Sequence, residues 1–215
     1  MSEPIQTEDD LRYWLSEEDW YPSRHTQDWL AQTDPRTAND LLARLTADAA
    51  PEPRHGWEAF WRTVAVAGFS MSSAVAGPGV VKRKAGTRAA LLLAERGDVR
   101  ALAPLARVWD TQNKYQELIE DALLRFLSQT PPETLTGETT ALRELAARIW
   151  HARPLRRDLA PRFAEIVVAI LPILDQAGGE ENAAFLREIA QTTSFLPPQR
   201  QRVQHTAQSL ADVLQ

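Results

Sequence analysis

The chain has 215 residues, 44% of them hydrophobic, which is enough apolar material for one large or two small domains with a real core and excludes general disorder. Its formal charge of −5 weighs against a dedicated nucleic-acid binder, because phosphate recognition leaves a clear basic excess over the whole domain. Cysteine is absent, which removes disulfides, thiolate nucleophiles and thiolate metal sites and fits a reducing compartment.

The opening Met-Ser-Glu-Pro turns acidic at once, unlike a secretory or transit sequence, so a cytoplasmic protein is expected. Charge is unevenly spread: residues 1–52 sum to −8, residues 53–162 to +6 and the remainder to −3. One stretch, Thr63 to Val81, is uncharged and long enough to span a bilayer. Its mean hydropathy is only roughly 1.4, it has no Leu or Ile, and it contains Gly-Pro-Gly. A buried helix running into a loop is expected there rather than a membrane span.

Helical spacing dominates and no run alternates with period two, so the fold class is all-α. In chain order, Thr7 with Asp10 resembles a capping box that opens a helix carrying Leu11, Trp14 and Leu15, closed by Trp20-Tyr21-Pro22. Asp34-Pro35 pairs an N-cap with proline at the first helical position, ahead of Leu41, Leu42 and Leu45. Pro51-Glu52-Pro53 breaks the chain. Trp57, Phe60, Trp61, Val64 and Gly68 predict a helix, and the small residues from Ser70 to Gly79 a loop. A short alanine-rich helix is placed from Thr87, stopping at Gly97, and Asp98 caps the next, with Leu102, Leu105, Val108 and Trp109. Tyr115, Leu118, Ile119, Ala122, Leu123, Phe126 and Leu127 form the cleanest amphipathic stripe. A Thr130 to Gly137 loop separates it from Leu142, Leu145, Ala146 and Ile149. Asp158 is the expected cap of a helix that is apolar all round from Ile166 to Leu171, kinks near Pro172 and belongs in an interior. Gly178-Gly179 and Pro197-Pro198 introduce the last two helices, the first around Phe185, Leu186 and Ile189, the second around Val203, Ala207, Leu210 and Leu214.

Thr87 to Leu127, TRAALLLAERGDVRALAPLARVWDTQNKYQELIEDALLRFL, resembles HEAT repeats: an Ala/Leu-rich first helix, a Gly97-Asp98 turn, Arg100 two residues on, and Pro104 early in the second helix. The resemblance covers roughly a fifth of the chain. It implies a short α-solenoid of stacked antiparallel helix pairs, HEAT-like or armadillo-like, with an irregular helical bundle as the alternative. Within one overall domain, residues 1–52 are read as an acidic, tryptophan-rich segment capping the stack and 53–215 as the repeat region. The family implies a scaffold for macromolecular contact without naming the partner, since such repeats serve protein complexes, pigment-attachment enzymes and alkylpurine DNA glycosylases alike.

No catalytic residue, cofactor or metal is assigned. Gly68-Phe69-Ser70-Met71-Ser72 approximates a nucleophile elbow, but Ser72 replaces the final glycine and no strand precedes it. His25, His55, His151 and His205 stand singly, without the spacing that aims two imidazoles at one metal. Asp9-Asp10 and Glu17-Glu18-Asp19 read as dipole complements or solvated faces.

Three surfaces remain. From Gly77 to Arg88, glycines, the cations Lys82, Arg83, Lys84 and Arg88, and the amides of a helix start at Thr87 suit an anionic partner, or the chain's own acidic N-terminal segment. A second basic group is Arg148, His151, Arg153, Arg156, Arg157 and Arg162, which would join the first in one groove if the helices stack. Trp14, Trp20, Tyr21 and Trp29, set among acids, either close the end of the array or make a protein-binding hot spot. The leading expectation is a non-enzymatic scaffold or adaptor that binds a protein partner. A nucleic-acid-binding HEAT-like protein using residues 82–88 and 148–162 is second, and an enzyme of unknown class third.

Overall fold

The structure, a computed structural model, describes residues 5–17, 22–50, 78–109, 116–151, 161–192 and 196–213. Among them the chain is wholly helical, with ten α-helices and three short 3-10 segments. It divides into two compact units, Met1–Asn113 and Lys114–Gln215. The helix predicted around Trp57 lies outside the described residues, as do the breaks at Trp20-Tyr21 and Pro51-Glu52-Pro53. Ser70, His55 and Asp158 lie outside them too.

In the first unit, α1 (Glu8–Glu17) opens with the expected reciprocal cap. The Thr7 amide donates to Asp10 Oδ2 at 2.8 Å, and the Asp10 amide donates to Thr7 Oγ1 at 3.2 Å. Helix α2 (Arg24–Gln32) is an addition to the predicted set, and Ser23 starts it by accepting the Thr26 amide on its hydroxyl at 3.2 Å. Helix α3 (Pro35–Leu45) begins as expected, with Asp34 Oδ2 accepting the Thr37 amide at 3.0 Å and proline in the first turn. It runs into a 3-10 turn, Thr46–Asp48.

Helix α4 (Pro78–Glu95) corrects the predicted helix start at Thr87 and the last two positions of the predicted Ser70 to Gly79 loop, the rest of which lies outside the described residues: Pro78 to Gly86 are helical, and Thr87 lies inside the helix. Glycines and valines weaken its first half by propensity, and Lys82, Arg83 and Lys84 stand toward the positive end of its dipole. Burial overrides that. Helix α4 packs against α1, α3, both 3-10 turns of the unit, and α5 (Leu102–Val108), and every residue from Ala85 to Ala90 is buried. A stretch buried on every side, as Ala85 to Ala90 is, carries no amphipathic signature. Small side chains make the enclosure possible: a Cβ built on Gly86 would lie 2.4 Å from the Ala49 nitrogen. Leu11 and Leu15 of α1 are fully buried, each contributing roughly 1.5–3 kcal/mol of hydrophobic stabilisation.

The Gly97-Asp98 turn forms as read. Gly97 adopts φ +71°, its amide donates to Ala94 O at 3.0 Å, and the Asp98 amide reaches Leu93 O at 3.0 Å, the paired bonds of a Schellman ending. Asp98 then caps a 3-10 turn, Val99–Ala101, that leads into α5.

The second unit comprises α6 (Gln116–Gln129), α7 (Thr139–His151), α8 (Pro161–Ala177), α9 (Glu180–Ala190) and α10 (Pro198–Val213). The expected Thr130 to Gly137 loop is instead largely a 3-10 segment, Pro132–Glu138, pinned by buried Leu135. Helix α8 is central and packs on the other four helices and that segment. Ala164, Ile166, Val167, Ile170, Leu171, Ile173 and Leu174 are all buried, as its unbroken apolar run requires. Polar seams fix the periphery. Arg143 of α7 donates to Asn182 Oδ1 of α9 at 2.9 Å, and Gln204 and Gln208 of α10 donate to carbonyls at the end of α9.

Candidate functional site

The first basic group does not assemble as an anion loop. Lys82 is exposed, Arg83 and Lys84 are half-buried and engaged, and Arg88 is only 7% exposed. The Arg88 guanidinium donates through Nη1 to the carbonyl of Leu15 at 2.8 Å, in the last turn of α1, where carbonyls lack partners within their helix. Thr87 Oγ1 donates to Arg83 O at 2.9 Å, within α4. The amides expected at Thr87 to receive an anion are therefore internal to a helix that begins at Pro78.

The second group is divided by local pairing. Arg148 is exposed at the end of α7 and engaged, His151 Nε2 lies 3.2 Å from Glu188, and Arg162 Nη1 lies 2.9 Å from Asp121. Arg153, Arg156 and Arg157 are outside the described residues. The first group lies in the first unit and the second in the second.

Among the described residues the aromatic group keeps a surface. Trp14, half-buried, meets the His25 ring at a centroid distance of 4.5 Å, tying α1 to α2. Trp29, half-buried, follows His25 by four residues and shares its side of α2. Trp20 and Tyr21 are outside the described residues. Beside Trp14, with ring centroids 5.7 Å apart, stands Tyr13, a large hydrophobic side chain that is 55% exposed. Sequence reasoning passed over Tyr13 and weighed His25 only as a metal ligand. For Tyr13 the signal was available: helical spacing turns it away from Leu11 and Leu15.

Carboxylates surround this end. Asp9 is 89% exposed, and Glu17 is exposed. The Asp10 carboxyl is held below the usual carboxylate range by hydrogen bonds from Thr7, side chain first and amide second, and from the Gln6 amide, so it stays ionised. Arg12 is the cation of α1, and its guanidinium is shared by Glu8 at 2.9 Å, Asp9, and Asp48 at 3.2 Å. The arrangement offers aromatic faces and acceptors for a cationic or apolar group.

Among the described residues no group of three or more His, Asp or Glu side chains is placed to hold a metal ion, and no helix is long and apolar enough to cross a membrane. Comparison with family models, curated proteins and solved structures gives no match for this chain.

Proposed function

We propose that this chain is a non-enzymatic helical adaptor that binds a protein partner through the aromatic, acidic end made by α1 and α2. The observation that carries the reading is Tyr13, exposed by more than half beside the Trp14–His25 contact while the core leucines of α1 are fully buried. Aromatic side chains with a polar tip are the residue class that dominates protein contact energies. The proposal extends to a short stack of antiparallel helix pairs of the HEAT or armadillo kind. Its support is the Gly97-Asp98 turn with Arg100 and Pro104, and the Asp98–Arg100–Asp40 pairing that ties this turn to α3.

The test is photo-cross-linking from position 13 in producing cells, identification of the captured protein, and binding measurements with both purified proteins. Tyr13→Ala and Trp29→Ala are expected to weaken that binding about tenfold or more each, and Lys82→Glu to leave it unchanged. Equal affinity for wild type, Tyr13→Ala and Trp29→Ala overturns the proposal.

A further inference from the structure

We infer that the partner segment seated on α1 is a basic, arginine-bearing stretch of protein, held on the outward arc formed by Asp9, Asp10, Tyr13 and Glu17; this rests on the protein-contact reading above. Successive helical residues turn by about 100°. Leu11 and Leu15, both fully buried, mark the core side of α1, and Tyr13 falls nearly opposite. Asp9 flanks it on one side and Glu17 and Asp10 on the other, at the three- and four-residue spacings that make helical neighbours.

Charge selects the occupant. Helix α1 carries four carboxylates against one guanidinium, and that guanidinium is already shared by Glu8, Asp9 and Asp48. A negative field therefore remains after internal pairing. Glu8, Asp9 and Asp10 stabilise the helix start through its dipole, while Glu17 is exposed at the opposite end, where the Arg88 guanidinium meets the Leu15 carbonyl; with that cation counted beside Arg12, the four carboxylates of α1 still outnumber the cations that reach it. Arginine fits better than lysine, because its planar fork pairs with a carboxylate while its face stacks on an exposed tyrosine ring. Phosphodiester backbones carry the wrong sign for this arc.

The experiment selects short random peptides on the folded full-length chain, with Tyr13→Ala as counter-selection, after circular dichroism confirms that each variant folds. Tyr13-dependent clones should be enriched in arginine. Their affinity should fall about tenfold between about 50 mM and about 300 mM salt, and by a similar factor for the Asp9→Asn/Glu17→Gln variant, at two- to threefold for each exposed carboxylate, roughly. Tyr13-dependent clones that are neutral or acidic, or that ignore salt and the double variant, overturn the inference and leave the adaptor reading standing. Failure to select any Tyr13-dependent clone overturns both. A single-stranded RNA or duplex DNA oligonucleotide that itself binds the chain in the absence of peptide, and loses that binding in Tyr13→Ala, also overturns the inference.

Discussion

The guanidinium of Arg88 lies 2.8 Å from the carbonyl of Leu15, so the last cation of the basic run ends α1 instead of facing solvent. A charged donor suits this position, since the carboxyl end of a helix presents unpaired carbonyls and partial negative charge. Replacing it with a side chain of similar length but no donor leaves a buried carbonyl unsatisfied and α1 less firmly docked on α4. Arg88→Met is expected to lower stability by about 2–4 kcal/mol in urea unfolding. Arg88→Lys should recover only part of the loss, because it keeps charge but not the fork. A Met variant as stable as wild type would show that the contact adds nothing.

Gly86 lets α4 approach the Thr46–Asp48 turn closely. A Cβ there would sit 2.4 Å from Ala49 N and 2.7 Å from Asp48 C, both backbone atoms that cannot rotate away. Gly86→Ala gains about 1 kcal/mol of helix propensity but forces α4 and the Thr46–Asp48 turn apart, and a net loss of about 1–3 kcal/mol is expected. Gly137, in the Pro132–Glu138 segment with nothing within 4 Å of its would-be Cβ, is the control. Gly137→Ala should be neutral or stabilising by up to about 1 kcal/mol. Thermal unfolding of the two variants side by side decides the matter.

Local signals in the chain carried the ends of helices well. Thr7-Asp10, Asp34-Pro35 and Gly97-Asp98 each declare themselves by residue type, because capping is chemistry between near neighbours. Helix α8 was legible for a different reason: a run apolar on every side has no stable place except an interior. Helix α4 was not legible, since Gly79, Gly86 and four cations mimic a loop, and what makes it a helix is contact with segments distant in sequence. Helix α2 was passed over although Ser23 marks its start, the polar Arg24-His25-Thr26-Gln27-Asp28 run hiding its single fully buried residue, Thr26. At the candidate site, Trp14 and Trp29 were named from composition, while Tyr13 was passed over although its spacing from Leu11 and Leu15 already set it on the opposite side of α1.

Asp98 accepts four hydrogen bonds on one carboxylate. It accepts the Arg100 amide at 3.1 Å, forms a two-point pair with the Arg100 guanidinium at 2.9 and 2.7 Å, and accepts Asn39 Nδ2 at 3.0 Å, while Arg100 also reaches Asp40 at 2.7 Å. These bonds, the Arg100 side chain first, hold the Asp98 carboxyl below its ordinary range. A depressed carboxyl stabilises the fold above its unfolded value, and the contribution is lost as pH falls through the folded one. Asp98→Ala should therefore cost about 1–2 kcal/mol at neutral pH. The deficit relative to wild type should shrink below about pH 4, as followed by urea unfolding across pH. A deficit independent of pH would mean that the ionised pair contributes nothing.

Glu120 of α6 predicts the opposite slope. It is 4% exposed, its carboxylate accepts Gln116 Nε2 at 2.6 Å, and burial raises its pKa above the ordinary value, the Gln116 bond and the charge of Arg162 opposing that rise. A raised carboxyl favours the folded state while protonated. Its contribution is fully present below the unfolded value and is lost as pH climbs through the folded one, so ionised Glu120 weakens the second unit at neutral pH. Glu120→Gln keeps the shape and an acceptor for Gln116 without the buried charge. The variant is expected to be more stable than wild type at pH 7, and the difference should close by about pH 4, where wild-type Glu120 is already protonated in the fold. Urea titrations at the two pH values measure it directly. A Gln variant less stable at pH 7 would place the Glu120 charge in a favourable pairing that outweighs its desolvation.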